Sequence, residues 1–322
     1  MKWGIIATGT IADKFAGTIG KMCSEGQSLA AVGSRNEEKA GEFAAKHGIA
    51  RYYGSYEGVW SDPDVDAVYI GTPNNLHYEN CLACLENGKH VLCEKPLTCE
   101  GKQARQLYDL AASKGLLLLE GLWIRFLPVY DRLRDILTNG EIGEIVSVKA
   151  DYGFIARGAR RERKFRSELG GGALYDIGIY TLGFIQMVMG QQPESFSSQV
   201  QMNEFGTDSD STLRLKYASG TEAECRQVIG EEIERNAVIT GTKGNVFLKD
   251  FQMAEEMEIT GADGTVRKVS VPFEINGFEY EIRAFTEGTG QQKTSLEPYT
   301  PGESIANMEL LEKIRKSWQM EF

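Results

Sequence analysis

The stretch Trp3-Gly4-Ile5-Ile6-Ala7-Thr8-Gly9-Thr10-Ile11-Ala12 decides the fold. Residues 3–8 form a short apolar run of strand type, and a helical pattern follows from Thr10 to about residue 25. Gly9, at the turn between them, lets the backbone approach a bulky anion, and Ala12 is small enough for helix and strand to pack closely. The helix start offers unpaired N–H groups, which suit a pyrophosphate. The order is that of a G-x-G-x-x-G/A dinucleotide turn, with Ala7 standing where the first glycine belongs. Thr8, Gly9, Thr10, Ile11 and Ala12 are therefore candidate cofactor contacts.

Further along, residues 29–33 (LAAVG) and 65–71 (VDAVYIG) repeat the apolar run, with a helix-forming stretch at 36–47 between them. Helical patterns at 77–87 and 98–114 bracket residues 90–93, and 116–119 follows. Short apolar strands alternating with helices imply a parallel sheet covered on both faces. The alternation ends near Gly121, after which the pattern changes. Residues 144–156 and 193–201 look extended, and 211–218, 221–228, 235–240 and 245–249 follow at close intervals. In 212–217 (TLRLKY), Leu213, Leu215 and Tyr217 share one face and Arg214 and Lys216 the other. This reads as an antiparallel meander with one wet or partner-facing side. Long helices are expected at about 172–189 and 302–319. The expected architecture is α/β: a doubly wound parallel sheet in residues 1–121, and a second α+β domain with a large, mainly antiparallel sheet in 122–322.

A chain of 322 residues, 42% hydrophobic and 25% charged, suits two ordinary globular cores. The formal charge of −11 argues against a nucleic-acid partner. No secretion signal fits the start and no apolar run reaches membrane-spanning length, so a cytoplasmic protein without a membrane partner is expected. The six cysteines outline no disulfide framework. Cys81 and Cys84 form a lone CxxC in a helical segment and read as small apolar residues on one face.

The second strand ends at Gly33-Ser34-Arg35-Asn36, without the acid that would hold the ribose hydroxyls of NAD. Ser34 and Arg35 instead suit a 2′-phosphate, a hydroxyl beside a planar cation, so NADP is the expected cofactor, with NAD as the alternative. Glu94-Lys95-Pro96 ends the run 90–93, where a lysine at a strand's carboxyl end can stabilise a developing alkoxide. In residues 170–180 (GGGALYDIGIY), three glycines open a helix and place Asp176 and Tyr180 four apart on one face. Leu174, Ile177, Thr181, Phe184 and Val188 make the opposite, core-facing stripe. A carboxylate beside a phenol suits recognition and proton transfer at a hydroxyl. Trp123, Arg125 and Phe126 wall a substrate pocket or belong to the core; both readings stay open. The basic run 157–166 (RGARRERKFR) reads as a solvated loop, or else as a seat for an anionic group. His47, His77 and His90 suit neither a triad nor a metal cluster, and no metal is expected.

These motifs together resemble the glucose–fructose oxidoreductase and inositol dehydrogenase family. The matches are GxIA at 9–12, DAVYIGTPNNLH at 66–77, EKP at 94–96, GGGALYDIGIY at 170–180 and VITGTKG at 238–244. Within it, residues 121–126 (GLWIRF) and Tyr180 are most similar to the branch of dimeric dihydrodiol and NADP-dependent D-xylose dehydrogenases. The resemblance implies hydride transfer between NADP and a sugar or vicinal diol, with Lys95, Asp176 and Tyr180 at the reacting oxygen. It also implies Thr72, Pro73, Asn74, His77, Glu94 and Lys95 near the dinucleotide, and a homodimer joined through the C-terminal sheet. Two other readings are a reductase of keto-sugars or other carbonyls and a non-catalytic NAD(P)-sensing regulator.

Overall fold

The structure, a computed structural model, describes residues 1–322 apart from the side chains of residues 159 and 160. The chain divides into two compact units, residues 1–123 with 274–308, and residues 124–273 with 309–322.

In the first unit, β1 (Lys2–Ile6), α1 (Thr10–Lys21), β2 (Ser28–Gly33), α2 (Glu37–His47), β3 (Arg51–Tyr53), α3 (Glu57–Trp60), β4 (Ala67–Ile70), α4 (His77–Glu86), β5 (His90–Glu94), α5 (Gly101–Ser113) and β6 (Leu118–Gly121) follow in order. The strands form one sheet in the order β3-β2-β1-β4-β5-β6, every pair parallel. Strands β4 and β6 are buried throughout, as a sheet covered on both faces demands. The strand order reverses between β1 and β4, which opens a crevice at the carboxyl ends of those strands.

The second unit contains α6 (Pro128–Thr138), β7 (Ile145–Phe154), α7 (Gly158–Phe165), a π turn (Leu174–Gly178), α8 (Ile179–Met189), and strands β8 (Ser195–Met202), β9 (Asp208–Lys216), β10 (Glu222–Ile229), β11 (Ala237–Gly241), β12 (Gly244–Leu248), β13 (Glu256–Gly261) and β14 (Val266–Ser270). Eight strands line up as β14-β13-β12-β11-β7-β10-β9-β8. The pairing is antiparallel except between β7 and β10, which run parallel, so the expected meander is broken at its centre. The π turn and α8 cover one face. The other face carries a ladder of ion pairs, including Arg214–Glu224, Arg226–Asp210 and Lys268–Glu258. The helical stretch Ser167–Met189 is long and apolar enough to cross a membrane, but 78% of its most apolar 18-residue window is buried within the protein.

The chain closes with α9 (Phe278–Gly290) and α10 (Pro301–Ser317). The sequence reading gave everything after residue 121 to the second domain, but residues 274–308 belong with the first unit. The reason is Glu120 on β6, fully buried, which accepts hydrogen bonds from Tyr299 (2.8 Å), Ser304 (2.6 Å) and the Leu97 amide (3.0 Å). A buried carboxyl needs such donors, and residues 299–304 return to supply them.

Candidate active site

The residues expected to cradle a dinucleotide lie at the carboxyl ends of β1, β2, β4 and β5. Ala7 bonds back to Gly33 O (3.0 Å) and adopts φ 79°, a left-handed conformation that glycine takes without strain. Gly9 follows as the exposed N-cap of α1 with no side-chain cap, and a Cβ there would meet nothing within 4 Å. Ala12 is fully buried, 3.7 Å from where a Cβ on Gly71 would stand, which is the close helix–strand packing the motif requires. Left-handed backbone costs an L-residue about 1–2 kcal/mol, and the extra unfolded-state freedom of glycine costs about 0.4–1 kcal/mol. Ala7→Gly should therefore leave the urea midpoint unchanged or raise it; a clear fall would contradict the strained turn.

Ser34 is buried, its Oγ accepting the Asn36 amide (3.3 Å), and Arg35 is exposed beside it after β2. Asn36 caps α2 through Lys39 N (3.0 Å). Thr72, just after β4, is buried, and its hydroxyl has no hydrogen-bond partner among the described residues. Pro73 and Asn74 are half-buried after it. An uncapped helix start, open space over Gly9 and an orphaned hydroxyl fit a bound dinucleotide, whose phosphates and amide would supply the missing partners.

Lys95 is half-buried directly after β5, and the Lys95–Pro96 peptide is cis. Its neighbour Glu94 is buried and accepts the Tyr69 hydroxyl at 2.6 Å; burial raises its carboxyl above the usual range. His77 is fully buried rather than lining open space, between Pro96 O (2.8 Å) and Thr72 O (3.0 Å). Burial lowers it to about 4, so the ring is neutral and its single N–H donates to one of these two carbonyls. The other histidines serve structure too: His47 pairs with Asp13 (2.8 Å) and His90 accepts the Leu117 amide (2.9 Å). Cys81 and Cys84 are both fully buried on α4, as apolar packing requires.

Asp176 and Tyr180 belong to the second unit. From Gly171 to Gln186 every residue is buried except these two. The expected stripe of Leu174, Ile177, Thr181, Phe184 and Val188 is buried as well, together with most of its surroundings. Asp176 lies in the π turn, a widened helical segment of a kind frequent at functional sites. Its carboxylate forms an ion pair with Lys164, with 12% of the lysine and 16% of the aspartate side chain exposed. Tyr180 packs against Tyr152 with ring centroids 5.8 Å apart. A charged carboxylate beside a phenol, alone on a closed apolar surface, can hold a hydroxyl and exchange its proton.

Of the proposed pocket residues, Trp123 is nearly buried in the first unit against Phe278 (5.2 Å), with the Lys14 ammonium 4.4 Å from its ring centre. Arg125 is buried in the second unit with its guanidinium 3.4 Å from Gly183 O, and Phe126 is nearly buried.

Three residues escaped the sequence reading. Lys164 lies in the basic run 157–166, read as a loop or an anion seat, yet residues 158–165 form α7 and Lys164 engages Asp176; Arg160 of that run falls outside the described side chains. The available signal was Phe165, whose 1% exposure anchors α7 to the core formed with Ala156, Ala173, Ile177 and Ile229. Lys14 and Glu281 were the others. Glu281 is fully buried with neither carboxyl oxygen hydrogen-bonded, and burial beside Glu94 holds it well above the usual carboxylate range.

Residues 1–122 match the oxidoreductase family with an NAD-binding Rossmann fold, and residues 130–247 match the GFO/IDH/MocA C-terminal domain. The trans-1,2-dihydrobenzene-1,2-diol dehydrogenase of Xenopus laevis is 36% identical over 290 residues, which cover 90% of this chain and 85% of the relative. The Homo sapiens enzyme of the same name is 32% identical, over 98% of this chain and 96% of its own. The chain belongs to the GFO/IDH/MocA oxidoreductase family. Its expected family and fold class are thus borne out, and it is an NAD(P)-binding oxidoreductase. Among solved structures, a point variant of the 3-ketoreductase of Actinomadura kijaniata, in complex with TDP-benzene and NADP, is similar with TM-score 0.88 and 25% identity, covering 98% of this chain and 97% of that one. The aldose–aldose oxidoreductase of Caulobacter crescentus shares the fold with TM-score 0.88 at 23% identity over 99% of this chain and 97% of its own.

Proposed function

We propose that this oxidoreductase uses NADP to interconvert a secondary alcohol and a carbonyl on a sugar or vicinal diol. The observation that carries the reading is that Asp176 and Tyr180 alone interrupt the buried surface from 171 to 186. The nicotinamide, when bound, supplies the hydride acceptor. What remains for the protein is a proton leaving oxygen and a developing alkoxide. Lys95 stabilises that negative charge, Tyr180 relays the proton, and Asp176, paired with Lys164, orients the hydroxyl. Glu94 and His77 hold the segment carrying Lys95. The names of the relatives favour a diol or sugar as substrate. A panel of sugars and diols with NADP and with NAD tests the reading.

Arg35, exposed directly after β2, supports the choice of NADP, because its planar cation suits a 2′-phosphate. Losing one charge-assisted contact costs about 1.5–3 kcal/mol, roughly ten- to a hundredfold in affinity. Arg35→Ala should weaken NADP binding by that factor and leave NAD binding nearly unchanged in parallel titrations. Equal losses for both nucleotides would remove the argument.

The likeness to a 3-ketoreductase solved with NADP favours a second reading, in which the same residues deliver a proton to a keto-sugar. Lys95 and Tyr180 serve either direction.

Assembly is proposed to be a homodimer through the eight-stranded sheet, where Val146, Val200 and Met202 stand exposed on β7 and β8. Light scattering at micromolar protein should give twice the chain mass, with at least ~1,200 Å² buried in the interface. A single monomeric mass would refute this.

A further inference from the structure

Beneath the Asp176–Tyr180 segment runs a line of polar side chains that the proposed chemistry does not use. The Leu174 amide donates to Asp208 Oδ2 at 2.9 Å, and the Ser211 hydroxyl donates to the same oxygen at 3.0 Å. Gln227 Nε2 donates to Ser211 Oγ at 2.8 Å. The Thr181 hydroxyl lies 3.1 Å from Gln227 Oε1 and 3.0 Å from Gly178 O, its one proton shared between the two. Asp208, Gln227 and Thr181 are fully buried, and Ser211 is 1% exposed.

The glycines of the 170–180 motif are matched to this line. A Cβ on Gly172, which has φ 106°, would collide with Asp208 Oδ1. A Cβ on Gly178 would crowd Leu174 Cδ1 at 3.2 Å and reach van der Waals contact with Gln227 Cγ at 3.4 Å. The backbone thus settles directly on Asp208 at Gly172 and lies against Gln227 at Gly178. The line also grips the segment at both ends, at Leu174 before Asp176 and at Thr181 just after Tyr180. A helix cap needs only Asp208; nothing in capping calls for a continuation through Ser211 and Gln227 to Thr181.

We propose that Asp208, Ser211, Gln227 and Thr181 are positioning residues that fix the register of Asp176 and Tyr180 for the reaction, an inference that rests on the function proposed above. Burying four polar groups is costly unless they are linked. Apart from Asp208 Oδ1, which has no hydrogen-bond partner among the described residues, the line is linked throughout, and such a network holds one arrangement where apolar packing admits several. A π turn needs that restraint, because its wider winding lies close to the α-helical alternative. A misplacement of about 1 Å at reacting groups can cost roughly a hundredfold in turnover. The line touches none of the residues assigned to the nucleotide, so its loss should fall on turnover and spare cofactor affinity. Burial holds the Asp208 carboxyl up at about 7, against the opposing bonds from Ser211 and Leu174, so an amide of the same shape is a close substitute.

The test compares Gln227→Met, Ser211→Ala, Asp208→Ala and Asp208→Asn with Tyr180→Phe and Asp176→Asn, using D-xylose and trans-1,2-dihydrobenzene-1,2-diol as probes. For each variant kcat, KM, NADP affinity, Tm and the isotope effect with substrate deuterated at the reacting carbon are measured. Gln227→Met and Asp208→Ala should lower kcat at least tenfold, raise the isotope effect and leave NADP affinity within twofold. Asp208→Asn, which keeps the acceptor for Leu174 and Ser211, should stay within threefold of the parent. If Asp208→Ala does not fold, Gln227→Met and Ser211→Ala decide. A lower Tm with kcat within threefold at 25 °C and an unchanged isotope effect would make the line a packing feature and overturn the proposal. Impaired Tyr180→Phe with normal Gln227→Met sinks this inference alone. Unimpaired Tyr180→Phe and Asp176→Asn, or no turnover by the parent of these probes or of any member of the wider sugar and diol panel, sinks the functional reading and this inference with it.

Discussion

Tyr180→Phe should cut turnover by roughly 10²–10⁴-fold, the scale of a general acid–base group, and leave NADP binding intact. The substitution removes one hydroxyl and nothing else. The ring keeps its packing on Tyr152, 5.8 Å away between centroids, and the buried residues on either side are unaffected. Folding should therefore survive, and the loss should appear in kcat. Nucleotide contacts are assigned to the turns after β1, β2, β4 and β5, none of which includes residue 180. Steady-state kinetics with a fluorescence titration of NADP separates the two quantities. Near-normal turnover would remove Tyr180 from the chemistry.

Lys95→Met should do at least as much damage. Methionine retains most of the apolar stem, so the half-buried position between Glu94 and Pro96 stays filled. What disappears is the only cation of the Glu-Lys-Pro turn, and one preorganised donor at a developing oxyanion is worth about 10²–10³-fold in turnover. Because Glu94 accepts the Tyr69 hydroxyl and the buried His77 ring packs between Thr72 O and Pro96 O, donating to one of them, the backbone should keep its course without the ammonium. Loss of NADP binding in step with activity would instead mark Lys95 as a nucleotide ligand only.

Much of this was legible because local rules and global fold agree. The strand–Gly9–helix order, the buried runs of β4 and β5, and the i, i+4 spacing of Asp176 and Tyr180 are all short-range signals, and each stands close to where periodicity put it. What the sequence hid depends on distant partners. Residues 274–308 carry helix patterns but no mark that they return to Glu120, since that return is decided by a buried carboxyl's need for donors. Strand β14 (Val266–Ser270) escaped because, at the sheet's edge, it is too exposed to alternate cleanly, whereas β13 does alternate, with Met257 and Ile259 buried between polar neighbours. The run 157–166 looked like solvated charge because one buried phenylalanine, Phe165, is a faint signal among six cations. Asp208 and Gln227 gave no signal at all: their burial follows from a 30- to 50-residue separation from the segment they hold.

The most direct test is the absorbance of the reduced nicotinamide when the purified protein is mixed with NADP and a panel of sugars and vicinal diols. The account predicts substrate-dependent formation of NADPH with at least one member, slower with NAD, and its disappearance in Tyr180→Phe and Lys95→Met. NADP binding without any turnover, in either direction and with either nucleotide, would contradict it and leave a nucleotide-sensing protein.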